Sequence, residues 1–470
     1  MKNKTMTNFL YQGIYQLVLI VLPIITVPIV SKTLLPTGLG TYNYSVSIVN
    51  YFVLVAGFGL SNYAVREIAY SKSNKIEMSK RFIEIQLLNM LISLIVLLIY
   101  FVFCTVSDLK LLFFVQSFSI LASIFDISWF FQGIEDFKKI SIINVFIKIA
   151  SFIAIVLLIN KPEDIYVYAF INSLSLMISS LSFWIFMKGK IVLIKVKFNS
   201  VLSHFFPALN FFVLRISGTI FVNFNKTLLG IFSTMASVGY FTNALTLVTL
   251  SGSLINTMNV VMLPKMSLLE KEKDEKKFLL TLSQSLHYQL IFTIPLSFGI
   301  IAITPKMIPW FFGTEFMIIK NIIPILAPVV IFQSLHQSIA NQYLVPKNKL
   351  KSYNFTMFLA TIVTCICGII LIPSLEEKGA SLSFLIGQIF LALMRSYYLI
   401  RETNFKFETK KIFIILIVST VMYLIINILT KKMAPSIFTT INQVLIGMIF
   451  YITVMILLKV VPIKKILGKE

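Results

Sequence analysis

A chain of 470 residues with 57% hydrophobic and only 13% charged side chains, and a mean hydropathy of +0.90, lies outside the soluble globular class. Its net charge of +22 is spread over the breaks between apolar blocks, as the positive-inside rule predicts, so it reports membrane topology and not nucleic acid. The expected fold class is all-α, a polytopic integral membrane protein.

Crossing the hydrocarbon core takes about 20 apolar residues per helix, and blocks of that length recur from Phe9 to Lys459. The first, Phe9 to Val30, follows MKNKTMTN and mimics a signal peptide. It is too long for an h-region and lacks a small-x-small cleavage site, so it reads as an uncleaved first helix. Fourteen spans are predicted, beginning near residues 9, 42, 82, 110, 140, 165, 205, 238, 278, 318, 353, 380, 412 and 438. An even count puts both termini on one side. With that side cytoplasmic, the inner segments hold 29 Lys and Arg and the outer segments 9, which fixes the orientation because translocation disfavours basic loops. Three cations remain inside spans: Lys148, Arg215 and Arg395. Cys104, Cys365 and Cys367 lie within or at the ends of apolar blocks and read as packing residues.

The sequence repeats internally. LPTGLGTYNYS at Leu35 to Ser45 matches STMASVGYFTNA at Ser233 to Ala244, and Gly40 and Gly239 lie 199 residues apart. Twenty-six residues after each glycine comes a cation at the inner end of the span, Arg66 and Lys265. Six spans separate the copies, so the halves point the same way, a parallel repeat about an axis along the membrane normal. The predicted division is an N-lobe at 1–199, a C-lobe at 200–403, and helices 13 and 14 with a basic cytoplasmic tail at 404–470.

Polar side chains at helical spacing mark helices that face water or one another. Asn43, Ser47, Asn50 and Tyr51 line the second span; Gln116, Ser119, Ser123 and Asp126 the fourth; Asn144, Lys148 and Ser151 the fifth. In the second half come Arg215, Thr219, Asn223 and Lys226, then Thr242, Thr246, Thr249, Ser253 and Asn256, then Gln333, His336, Gln337 and Asn341. Each stripe alone fits interhelical hydrogen bonding; six stripes split across both halves favour a shared cavity. Span 13 is apolar almost throughout, Asn427 being its main exception, and reads as a lipid-facing wall.

An Arg or Lys at the centre of a span costs about 2.5–3.5 kcal/mol on translocon scales, so it needs a partner or a task. Arg215 lies near the midplane of span seven with no comparably deep acid in its own half. Lys148 and Asp126 lie at similar depths and are either a salt bridge or separate cavity groups, Asp126 then serving ion coupling. Arg395 either snorkels from the inner end of span twelve or joins Arg66 and Lys265 as the rim of a cytoplasmic vestibule. His204, His287 and His336 show no metal-ligand spacing, and no cofactor is implied. A cationic, water-lined interior suits an anion, and guanidinium pairs with phosphate through a bidentate fork. Amide and hydroxyl stripes with interleaved aromatics suit sugars.

LPTGLGTYNYSVSIVNYFVLVAGFGLSNYAVREIA, with NKTLLGIFSTMASVGYFTNA, resembles the oligosaccharide repeat-unit flippases (Wzx-type) of the multidrug/oligosaccharidyl-lipid/polysaccharide exporter superfamily. The resemblance implies two six-helix lobes around a central cavity, in the bacterial cytoplasmic membrane. It implies alternating access that carries an undecaprenyl-diphosphate-linked oligosaccharide to the outer leaflet for capsule, O-antigen or exopolysaccharide synthesis, alongside the polymerase and glycosyltransferases of that pathway. Cationic cavity residues then hold the diphosphate, and Arg215 and Lys148 are the positions assigned. Asn223, Thr219, Lys226, Asn50, Asn144, Gln333, His336 and Gln337 complete the expected binding set. The chain has no arginine before Arg66, unlike lipid II flippases of the superfamily, and only Asp126 among the intramembrane carboxylates that its drug exporters need.

The rival readings are a flippase for teichoic or other glycolipid precursors, a drug exporter, or an enzyme, a polytopic glycosyltransferase or polymerase. An enzyme needs acid and base groups gathered in sizeable outer loops. The longest outer loop, around Thr304 to Lys320, offers one carboxylate, Glu315. No nucleotide-binding motif is present, which argues against direct ATP use.

Overall fold

The computed structural model describes the backbone of residues 2–458 and the side chains of all of these except 2–10, 12, 14, 213, 214, 253–257 and 260. Its helices run in chain order α1 (Lys2–Gly57), α2 (Leu60–Ser71), α3 (Lys75–Val106), α4 (Lys110–Phe125), α5 (Ser128–Gly133), α6 (Phe137–Leu158), α7 (Ile165–Ile185), α8 (Phe198–Leu202), α9 (Phe205–Phe232), α10 (Met235–Lys271), α11 (Glu275–Phe311), α12 (Ile319–Leu326), α13 (Val329–Ile339), α14 (Leu350–Glu402), α15 (Thr409–Thr430) and α16 (Ile437–Leu457). No strand occurs among the described residues. A helix satisfies its own backbone polar groups, which is the requirement a lipid environment imposes.

Two of these helices each contain two spans. In α1 the break falls at Leu35 (φ 59°), immediately before Pro36, whose ring bars the α conformation for the residue preceding it. In α14 it falls at Glu376 (φ 48°), and the chain turns so sharply that a Cβ on Gly379 would lie 2.3 Å from the Leu371 carbonyl oxygen. Among the described residues ten helices are long and apolar enough to cross a membrane, and the pair Phe198–Phe212 and Arg215–Phe232, bent by 51°, makes eleven if it is one span. Counting α1 and α14 twice and adding the 37-residue α10 gives the fourteen spans expected. Side-chain caps open several of them. Asn74 Oδ1 accepts from the backbone N–H groups of Ile76 and Glu77 (3.0 and 3.3 Å) at α3, and Asp274 Oδ1 accepts from that of Lys277 (3.0 Å) at α11.

Packing divides the chain into two units, Met1–Gly230 and Ile231–Glu470. Helix α9, counted with the C-lobe by repeat, thus packs within the first unit. Its polar face meets α1 there. Ser47 and Tyr51 bond Thr227 (2.9 and 3.2 Å), and Asn50 Nδ2 donates to Asn223 Oδ1 (3.2 Å). In the second unit, span 13 is two-faced. Ile415, Val418, Met422 and Ile426 of α15 are buried in a cluster with residues of α11 and α16, while Leu424, Ile428 and Leu429 are exposed as lipid-facing side chains should be.

Candidate functional site

The first unit encloses two adjoining polar cavities, each about 260 Å³, that share Val53, Ser119 and Leu176 as a common wall. Asp126, Asn144 and Arg215 line one; Asn50, Gln116 and Lys148 line the other. Helices α1, α4, α6 and α7 line both cavities; α2, α3 and α5 add to the first, and α9 supplies Arg215 just past its bend.

The floor of the first cavity is a helix terminus. The last carbonyls of a helix have no intrahelical partner, and those from Ser123 to Asp126 at the end of α4 are each met by a side chain. Asn89 donates to the Ser123 carbonyl (2.7 Å), Gln86 to Ile124 (2.8 Å), the Trp184 indole to Phe125 (2.8 Å) and the Trp129 indole to Asp126 (3.0 Å). This interruption places the Asp126 side chain at the cavity, where its Oδ1 accepts from the Ser128 backbone N–H (2.9 Å). The salt bridge considered between Asp126 and Lys148 does not form. Asp126 faces the cavity of Arg215 and Lys148 faces its neighbour, and among the described residues no lysine or arginine nitrogen comes within 4 Å of the carboxylate. The reason is local, since Asp126 lies just past the end of α4 and its carboxylate turns to the Ser128 backbone N–H at the start of α5.

Arg215 and Lys148 therefore line cavities as cations without an ion-pair partner among the described residues. Gly57 abuts the guanidinium closely, a Cβ there lying 3.6 Å from Nη1. Beside Lys148, Gln116 is 2% exposed, and neither its Oε1 nor its Nε2 has a partner. Leaving a buried amide unmatched costs about 1–3 kcal/mol, so this side chain calls for water or ligand in the cavity. Asn144 accepts from the Ser179 hydroxyl (2.6 Å).

The other expected residues divide between roles. Asn50 and Asn223 bond each other, and Asn223 Nδ2 also donates to the Thr219 carbonyl (2.9 Å), which is the interhelical use of that stripe. Lys226 is half-buried on α9 and lines neither cavity. In the second unit His336 is buried, its Nε2 2.8 Å from Gln388 Oε1 and its Nδ1 3.1 Å from Arg395 Nη1. Guanidinium has only hydrogens to offer, so Nδ1 accepts, Nε2 carries the proton, and the ring is neutral. Gln333 and Gln337 are half-buried on the same helix, and the Gln337 carbonyl accepts from Asn341 (2.9 Å). Ser253 and Asn256 lie outside the described side chains.

Arg395 corrects an expectation. It neither snorkels nor forms a rim: it is 2% exposed, bonded to the His336 carbonyl (3.1 Å) and Thr356 Oγ1 (3.3 Å), with its guanidinium 4.6 Å from the Tyr353 ring centroid. Aromatic and carbonyl partners on α13 and α14 offset the cost of burying the charge, and the cation–π contact is stronger out of water. Arg66 and Lys265 are exposed. Arg66 pairs with Glu67 (3.1 Å) and stands over Tyr63 and Phe211. Sequence reasoning missed a buried group at this end of the first unit. Glu84 and His204, 2% and 1% exposed, meet at 3.1 Å, and the Tyr63 hydroxyl lies 2.6 Å from His204 Nδ1. Their separation along the chain hid the contact.

Comparison with known proteins agrees with this architecture. Residues 5–270, more than half the chain, match the family model described as polysaccharide biosynthesis protein. A "Probable low-salt glycan biosynthesis flippase" of Haloferax volcanii is 22% identical over 43% of this chain and 42% of its own length. A "Putative O-antigen transporter" of Shigella dysenteriae is 22% identical over 60% of this chain and 70% of its own. The first match thus spans under half of that relative. Among solved structures, a lipid II flippase MurJ in an inward closed conformation superposes with a TM-score of 0.74 at 19% identity, over 95% of this chain and 97% of that one. An inward-facing multidrug resistance transporter of the MATE family gives 0.63 at 12% identity, over 82% and 94%. These likenesses establish the fold, a multi-pass transporter architecture. With the helical repeat, the charged interior and the family match all pointing one way, the chain belongs to the polysaccharide biosynthesis protein family of membrane flippases and transporters.

Proposed function

We propose that this protein carries an undecaprenyl-diphosphate-linked oligosaccharide from the inner to the outer leaflet of the bacterial cytoplasmic membrane by alternating access. The glycan is a repeat unit for capsule, O-antigen or exopolysaccharide, and no covalent bond is made or broken. The observation that carries the reading is the pair of unpartnered cations, Arg215 and Lys148, lining polar cavities inside a membrane-spanning unit. Asp126 is the one carboxylate lining either cavity, so a diphosphate supplies the counter-charge that the two cations still lack, and Arg215 can grip two of its oxygens at once. At about 260 Å³ each, the cavities fall just below the ~300–1,000 Å³ typical of small-molecule pockets, which suits a diphosphate more than a whole repeat unit. The flippase and transporter names of the two sequence relatives support the same substrate class.

Depletion of the protein in its own cells tests this. Lipid-linked glycan is expected to accumulate in total while the fraction open to an impermeant lectin at the outer face falls. A fall in total lipid-linked glycan, with the exposed fraction unchanged, would show instead that the protein builds the glycan and does not move it.

A further inference from the structure

The ends of α11, α15 and α16 that the loop charges place outside form a second kind of site, independent of the flipping reading. Helix α11 sends Lys306 across to the α15–α16 turn, where its Nζ donates to the carbonyls of Lys431 (3.3 Å) and Met433 (2.6 Å). A cavity of about 380 Å³ opens beside it, lined by Lys306, Asn427, Lys431 and Gln443 together with the apolar Ala302, Pro305 and Ile428. This volume falls in the range of small-ligand pockets.

Gln443 fixes what the cavity lacks. It is 1% exposed, and its Oε1 has no partner. Exchanging its amide oxygen and nitrogen does not remove the deficit. The Thr430 hydroxyl gives its one proton to the Ile426 carbonyl (2.7 Å) and must therefore accept from Gln443, at 2.9 Å. Nitrogen faces Thr430, and the oxygen is left as a buried acceptor awaiting a donor.

Charge supplies the second half. Of the nine Lys and Arg assigned to outer segments, Lys306, Lys431 and Lys432 gather at this one end, and none of them forms an ion pair among the described residues. Outer cations are what topology disfavours, so a concentration of them calls for an anion. The ligand must bring a negative group, a hydrogen-bond donor that is not itself cationic, and apolar parts to cover Ala302, Pro305 and Ile428.

We propose that this cavity binds the headgroup of an anionic glycerophospholipid that carries a free hydroxyl, of the phosphatidylglycerol type. Its phosphate lies between Lys306 and Lys431, its hydroxyl donates to Gln443 Oε1, and its chains run down the exposed faces of α15 and α16. A zwitterionic ethanolamine headgroup brings a donor too, but sets an ammonium against three lysines. Bound there, the lipid ties the last two helices to α11.

Native mass spectrometry on the full-length protein, delipidated in detergent, tests the assignment with three lipids of identical chains. Phosphatidylglycerol is expected to bind about fivefold more tightly than phosphatidylmethanol, which keeps the charge and lacks the hydroxyl, a ratio in keeping with one hydrogen bond. Phosphatidylethanolamine is expected to bind more weakly than either. Gln443→Leu should erase the difference between the first two lipids while leaving both above phosphatidylethanolamine. Lys431→Gln should weaken both anionic lipids about fivefold; its side chain is exposed, so this variant keeps the test valid if Gln443→Leu does not fold. Equal binding of the three lipids, an undiminished preference for phosphatidylglycerol over phosphatidylmethanol in Gln443→Leu, or wild-type affinities for both anionic lipids in Lys431→Gln would overturn the proposal. Displacement of phosphatidylglycerol by equimolar water-soluble glycerol phosphate would overturn the lipid assignment in favour of a free phosphate ester.

Discussion

Arg215→Ala is expected to lower outer-leaflet exposure of the lipid-linked glycan at least tenfold in cells that hold the protein at its normal level. The side chain lines a cavity with no carboxylate within 4 Å among the described residues, so its removal takes away the diphosphate contact without breaking a salt bridge, and leaves Asp126 as the one acidic group of that lining. Charge-assisted hydrogen bonds are worth about 1.5–3 kcal/mol each, and 1.4 kcal/mol is tenfold in equilibrium binding. Arg215→Lys keeps the charge and loses the planar fork, and is expected to fall between wild type and alanine. Unaltered exposure in Arg215→Ala would remove this residue from the substrate path. Full activity of Arg215→Lys would show that charge alone matters.

The second large effect is on stability. His336→Leu is expected to destabilise the protein by about 3 kcal/mol, because the Arg395 guanidinium stays buried after losing the ring acceptor at 3.1 Å. Thermal melting of the purified protein in detergent should show a drop of several degrees. Combining the change with Arg395→Leu removes the stranded charge, so the double variant should melt above the value that the two single changes sum to. Additive losses would mean that Arg395 and His336 do not depend on one another, contrary to the contacts on α13 and α14.

Much of the fold was legible because hydropathy and turn chemistry are local. The break in α1 precedes Pro36, α15 begins at Thr409 where the apolar run was expected near residue 412, and the copies of the repeat open a span at Leu35 and at Thr234. What escaped the sequence depends on contacts between distant residues. Nothing near Asp126 announces that Asn89, Gln86 and Trp184 will close the end of α4, and so its separation from Lys148 was not readable. The polar stripes were visible, yet helical spacing cannot tell a stripe that lines a cavity from one that faces another helix. Gln116 proved to be of the first kind, Asn50 of both, and Asn223 of the second. Arg395 looked like a snorkelling cation from its place near a span end, and only the side chains of His336, Thr356 and Tyr353 around it reveal a buried anchor. In the same way α9 belongs to the second copy by repeat and to the first unit by packing.

The central claim is transport of a lipid-linked diphosphate sugar by this chain alone, and reconstitution tests it most directly. Purified protein is placed in liposomes with a fluorescent undecaprenyl-diphosphate oligosaccharide in both leaflets, and an impermeant reagent bleaches the outer pool. The account predicts that bleaching continues past the outer half in protein-containing vesicles, and that it stops near one half in empty vesicles and in those holding Arg215→Ala. Bleaching that stops at the same half with wild-type protein present, in vesicles shown to contain the folded chain and with a membrane potential imposed, would contradict it.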